Sequence, residues 1–273
     1  MTPIPLVEAR DERLFGGKAV SLGAALREGL PVPNGVALSV DFVNDVASGL
    51  SHALDALTGS DHLPAVRAAV RSSAIGEDSK DASFAGQHAT HLNVRRKGLA
   101  HAVKAVWASG RSEAALAYRM QRGIAGVPSV AVVVQHLVEP TAAGVLFTRN
   151  PMTGADERLI EAAWGLGEAV VAGRVVPDQF RLDARGRVIE QIAGDKDVQI
   201  VHSDEEGVHE VELDPHRRQA FCLTSEQVLS LYELAERCRR VWGPNLDLEW
   251  AIDAQGACYL LQSRPITTRL GGS

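Results

Sequence analysis

The run Val130-Ala131-Val132-Val133-Val134-Gln135 constrains this chain more than any other stretch. β-Branched residues fill four of its six positions, the composition of a strand buried inside a sheet. Other strands must flank it. Apolar or alternating segments predict them at Val36–Leu38, Ala65–Arg71, Ala143–Thr148, Arg158–Ala163, Gln179–Asp183 and Val188–Ile192. A last pair, Asp247–Asp253 and Ala257–Ser263, reads as a hairpin across Asp253-Ala254-Gln255-Gly256. Helical spacing runs from Gly16-Gly17-Lys18 to Gly29, over 41–58, over 98–122 and over Thr224–Val241. Strands and helices mixed without strict alternation predict an α+β protein.

The 273 residues allow one large or two modest domains at about 150 residues each. Composition shifts near Pro128, so the expectation is an N-terminal lobe over 1–128, a C-terminal lobe over 129–268 and a flexible tail over 269–273. Several classes drop out. No apolar run approaches the roughly 20 residues of a membrane span. Glu8, Asp11 and Glu12 interrupt any secretory leader. Cys222, Cys238 and Cys258 form no CxxC pair, and an odd count argues against a disulfide framework, so the expectation is a cytoplasmic protein with reduced thiols. A net charge of −6 with one dense basic run, Arg95-Arg96-Lys97, predicts no nucleic-acid partner, and no membrane partner is expected either. His88, His91, His202, His209 and His216 lack zinc-ligand spacing, and Ser72 and Ser73 have no evident base nearby in sequence.

Three constellations could carry chemistry. Gly16-Gly17-Lys18 opens a helix, where glycines let backbone approach a phosphate and lysine adds charge; a plain surface turn would look the same. Arg71 closes a strand before a small, hydroxyl-rich loop reaching Gly86-Gln87-His88-Ala89-Thr90. That loop could fold over a polyphosphate or be an ordinary polar loop. Asp247-Leu248-Glu249-Trp250 faces Leu261-Gln262-Ser263-Arg264 across the last hairpin. Asp247 and Glu249 share a face, and Gln262 could stand opposite Glu249. Oxygen ligands on adjacent strands suit Mg²⁺, with Arg264 as a phosphate clamp; the alternative is a cross-strand salt bridge.

These blocks occur in a familiar order. Gly17-Lys18 precedes Leu30-Pro31-Val32-Pro33, then VRSSAIGED, DASFAGQHATHLNV, AAGVLFTRNPMTG, IEAAWGLGEAVVAGRVVPD, DLEWAID and YLLQSRPIT. Over about residues 14–268 the chain resembles the ATP-binding domain of the phosphoenolpyruvate synthase family, which includes pyruvate phosphate dikinase and rifampicin phosphotransferase. The resemblance implies an ATP-grasp fold, two lobes closing on a nucleotide, with ATP and Mg²⁺ as ligands. It assigns phosphate binding to Lys18, Arg71 and Arg264, and the glycine loop to Gly86, Gln87 and Thr90. Adenine reading by backbone groups falls to Gln135, His136 and Leu137. The metal pair is Glu249 and Gln262, with Asp247 beside it. Glu161, Glu168 and Lys196 lie in matching blocks without assigned roles.

The implied reaction passes the β-phosphoryl of ATP to a histidine, leaving AMP and phosphate. VRSSAIGED and SFAGQ resemble the synthase and rifampicin branch, which points to water as acceptor of the γ-phosphoryl. The family's Thr-Ser-His swivelling domain and its acceptor domain have no counterpart here, and the interval from Lys18 to Arg71 is shorter than usual. The expectation is therefore a separate partner protein carrying the phosphohistidine, and Met1 with a short tail reads as a complete chain. Two alternatives stay open: an ATP-grasp ligase or direct kinase yielding ADP, and a nucleotide-binding subunit without chemistry.

Overall fold

A computed structural model describes residues 2–60, 63, 67–74, 90–113, 116, 120 and 129–266. The chain divides into two compact units, each described by itself. Unit 1 comprises Met1–Arg27, Pro33–Leu137 and Asp204–Gly207; unit 2 comprises Glu28–Val32, Val138–Ser203 and Val208–Ser273.

Unit 1 contains β1 (Ile4–Pro5), α1 (Glu12–Arg27), β2 (Gly35–Leu38), α2 (Val40–Ala47), α3 (Ser51–Gly59), β3 (Ala68–Ala74), β4 (Thr90–Val94), α4 (Leu99–Ser109) and β5 (Val130–His136). Its sheet has the order β1-β2-β5-β3-β4, with antiparallel neighbours throughout. β5 is the central strand, which explains its apolar run. Val130, Val132 and Val134 pack in one core with Phe42, Val46 and Val103 from α2 and α4. On the sheet's other side α1 lies against β3 and β5. A strand covered on both faces has no use for a polar alternation.

This centrality corrects the boundary expected near residue 128. Unit 1 runs on to Leu137 because β5 completes its sheet. The single helix expected over 41–58 is two helices. Gly49, at φ 77°, takes the left-handed turn between α2 and α3 that a side-chain-bearing residue resists. The pattern over 98–122 yields α4, which ends at Gly110; most positions from 114 to 128 lie outside the described residues.

Unit 2 contains β6 (Pro140–Phe147), β7 (Arg158–Trp164), α5 (Glu168–Val171), β8 (Asp178–Leu182), β9 (Val188–Ile192), β10 (Val198–His202), β11 (Val208–Glu212), α6 (Pro215–Gln219), α7 (Ser225–Trp242), β12 (Leu246–Asp253) and β13 (Cys258–Pro265). Six strands form an antiparallel sheet in the order β13-β12-β6-β7-β8-β9, and β10 pairs β11 separately. Thr224 and Gln227 close a capping box at the start of α7. The helix lays Val228, Leu231, Leu234 and Cys238 into the core against β12 and β13. Leu246, Leu248 and Trp250 are buried, so alternation turns Asp247 and Glu249 to the opposite face of the sheet.

Candidate functional site

In unit 1 the helical stretch expected from Gly16 is real but kinked. Gly16 has φ 74° and ψ 167°, and α1 continues regularly only beyond it. A Cβ at Gly16 would lie 1.9 Å from the Ser73 carbonyl oxygen, so only glycine permits this approach to β3. Ser73 Oγ then accepts a hydrogen bond from the Ala19 N–H at 2.9 Å, satisfying a donor of the helix's first turn. Ser73 is thus a helix-capping residue, completely buried. Lys18 lies in the same turn and is buried as well. Arg71, half-buried on β3, stands between Thr90 on β4 and Val133 on β5. Thr90 is exposed at the start of its strand; Gly86 and Gln87 lie outside the described residues.

The exit of β5 is tied down by hydrogen bonds. Gln135 is buried, and its Nε2 donates to the Pro33 carbonyl oxygen at 3.0 Å. The His136 N–H donates to Asn34 and the Leu137 N–H to Arg67, at 2.8 and 3.1 Å. These two backbone donors join β5 to the segments before β2 and β3.

In unit 2 the hairpin delivers the expected juxtaposition. Glu249 stands directly opposite Gln262, and Asp247 opposite Arg264. The cross-strand salt bridge weighed for this hairpin is present. Arg264 Nε donates to Asp247 Oδ2 at 2.8 Å, an ion pair, while Glu249 and Gln262 form the carboxylate–amide pair beside it. A bulge after Glu249 shifts the register, so Trp250 meets Leu260. The row continues beyond the hairpin. Glu249 faces Val145 on β6, Val145 faces Glu161 on β7, and Glu161 faces Gln179 on β8. Gln262, Glu249, Val145, Glu161 and Gln179 therefore line one face of the sheet, with Glu161 and Glu249 two strand spacings, roughly 10 Å, apart. Counting registers across strands is the signal that brings Glu161 in; its spacing within one strand does not.

Burial sets the electrostatics here. Asp247 is pushed above the ordinary carboxylate range by burial, opposed by Arg264 and reinforced by Glu249. Burial also raises Glu161, opposed by the Gln179 hydrogen bond and reinforced by Asp247. Asp247 Oδ1 is buried without a hydrogen-bond partner. An orphaned carboxylate oxygen costs about 1–3 kcal/mol, more when charged, so this oxygen fits a cation or a donor. Among the described residues no three His, Cys, Asp or Glu side chains gather as a metal cluster. The donor set is instead one carboxylate, one amide and an orphaned carboxylate oxygen, which suits Mg²⁺ because that ion keeps water and phosphate among its ligands.

Lys196 has a different place. Its Nζ and Asp178 Oδ1 form an ion pair in which both side chains are completely buried. Asp178 also accepts from the Gly194 and Cys222 N–H groups, each at 2.8 Å. The pair ties β8 to the segments around Gly194 and Cys222 and belongs to the frame of unit 2. The three cysteines are unbridged, and burial pushes the Cys238 and Cys258 thiols up to about 12, outside the reactive range.

The family model "Pyruvate phosphate dikinase, AMP/ATP-binding domain" matches residues 38–271. The chain belongs to this family. Both units of this dikinase-family domain combine helices with antiparallel sheets, the α+β class expected. An uncharacterized phosphotransferase of Bacillus subtilis (strain 168) is 37% identical over 94% of this chain and 34% of its own length. A probable phosphoenolpyruvate synthase of Archaeoglobus fulgidus is 35% identical, over 96% of this chain and 41% of its own length. A rifampicin phosphotransferase of Bacillus cereus is 37% identical over 85% and 26%. The domain thus spans about a third of the length of the curated relatives it matches. Among solved structures, the L-amino acid ligase from Bacillus licheniformis superposes with a TM-score of 0.44 at 12% identity, over 96% of this chain and 44% of that one. Among the described residues no helix is long and apolar enough to cross a membrane.

Proposed function

We propose that this domain is the ATP-binding component of a phosphoenolpyruvate synthase-type phosphotransferase. The carrying observation is the β12–β13 hairpin, which sets an oxygen pair suited to a hard cation, Glu249 and Gln262, two register positions from the Asp247–Arg264 ion pair. A polyphosphate requires both kinds of group together, a cation site and an arginine clamp. Glu249 and Gln262 would hold Mg²⁺, with Asp247 Oδ1 facing it. When bound, Mg²⁺ neutralises polyphosphate charge and orients its oxygens. By the resemblance, Arg264 would bind a phosphate oxygen, and Lys18, Arg71 and Thr90 of unit 1 stand at the family's phosphate-binding positions, as Gln135 does at its strand exit; Gly86 and Gln87 lie outside the described residues.

The acceptor is a histidine on a separate protein. Its ring nitrogen attacks the β-phosphorus, the bond from the α-phosphoryl oxygen to the β-phosphorus breaks, and AMP leaves. Water then attacks the γ-phosphorus, releasing phosphate and leaving a phosphohistidine. Side chains of this domain position charge and do not form the covalent bond. The test is incubation with β-labelled ATP and a protein carrying a Thr-Ser-His swivelling domain. Acid-labile label on the partner, with AMP formed, is the expected result. ATP bound but neither label nor AMP overturns the proposal, and ADP with a phosphorylated small molecule would mark a ligase or kinase.

A further inference from the structure

We propose that Asp247 is a positioning residue that couples cation binding to the phosphate clamp, making Mg²⁺ and nucleotide bind cooperatively through a single carboxylate. The inference rests on the reading that this hairpin binds Mg²⁺ and ATP. It adds a role for a residue whose two oxygens are in unlike situations.

Oδ2 is committed to Arg264 Nε at 2.8 Å, and the two residues are direct cross-strand partners. Oδ1 is buried with no partner, two positions along the strand from Glu249 and on the same face. The side chain of Asp247 is 12% exposed and that of Arg264 28%, so neither charge is fully relaxed by water. One carboxylate therefore reaches towards both functions of the hairpin.

The consequence is electrostatic. Without a cation, the full negative charge of Asp247 opposes the field that Arg264 presents to a phosphate. A divalent cation at Oδ1 takes up much of that charge. Arg264 keeps its orientation, because the Nε–Oδ2 bond stays, while its positive field is no longer cancelled. Phosphate binding strengthens when the cation is present, and by linkage cation binding strengthens by the same factor when phosphate is present. Glu249 and Gln262 can hold a cation, but neither is the direct cross-strand partner of Arg264. Asp247 is the residue whose carboxylate both bonds Arg264 and presents a second buried oxygen.

The experiment is calorimetric titration of the full chain, with no acceptor protein present, with the ATP analogue AMP-PNP, in EDTA and in Mg²⁺. The variants are Asp247→Asn, Arg264→Gln and the double variant. Asparagine keeps the shape and an acceptor for Arg264 Nε but removes the shared charge, and thermal melts verify that each variant folds. In the parent, Mg²⁺ tightens AMP-PNP binding. In Asp247→Asn that tightening is expected to shrink about tenfold, and Asp247→Asn is expected to add little once Arg264 is replaced. A tightening factor as large in Asp247→Asn as in the parent, or additive effects in the double variant, overturns the coupling and leaves the site reading intact. A parent that binds no AMP-PNP in either condition overturns the site reading and the coupling with it.

Discussion

In the proposed function Glu249 is a cation ligand and Arg71 a phosphate partner, and each has a clean substitution. Glu249→Ala removes a cation ligand and Arg71→Ala a phosphate partner; each is expected to lower turnover by about 10²–10³ or more, the scale of losing one preorganised electrostatic group. Rate measurements on folded variants check this, and near-parental activity in either would remove that residue from the site. Glu161 offers a pH test. Burial raises its pKa in the native state, so the folded chain holds this proton to higher pH than the unfolded chain does. The associated stability is present below the usual carboxylate range and is lost as pH rises through the folded value. Glu161→Gln is expected to raise the thermal midpoint near pH 7 and to change it little near about pH 4. An equal shift at both pH values would show that the carboxyl's charge is not the cause. At this scale the pairing of Glu249 with Gln262 and of Asp247 with Arg264 was legible because each residue stands in a distinctive local block. Glu161 was not placed by that route, since its neighbours in the row come from four different strands.

At the level of elements, most strands were legible from alternation or from β-branched runs, and α7 from its apolar stripe and capping box. What failed had physical causes. The β10–β11 pair was invisible because Val198–His202 and Val208–Glu212 are short, half polar and weakly buried. The division of α2 from α3 depends on one left-handed glycine, which helical spacing does not register. The boundary near residue 128 followed a change in composition, whereas the sheet places β5 with β2 and β3. Lys196, which the sequence left without a role, is framework. Because both partners are fully buried, Lys196→Met leaves the Asp178 charge without its cation and is expected to cost about 3–5 kcal/mol in chemical denaturation. Adding Asp178→Asn should recover a large part of that loss. If Lys196→Met unfolds at the parental midpoint, the ion pair is not holding unit 2 together.

Across the whole molecule, a net charge of −6 is compatible with a polyphosphate ligand because recognition needs a few placed cations and a metal, not a basic surface. The family model spans residues 38–271, and the chain corresponds to about a third of its curated relatives' length. The phosphoryl acceptor is proposed to lie outside the part of those relatives that this chain matches. The central claim is that ATP is cleaved between its α- and β-phosphoryl groups. Phosphorus NMR of ATP, Mg²⁺, the chain and a Thr-Ser-His partner measures this directly. Equal amounts of AMP and inorganic phosphate, with no ADP, are the expected result. ADP accumulating as the nucleotide product would contradict it.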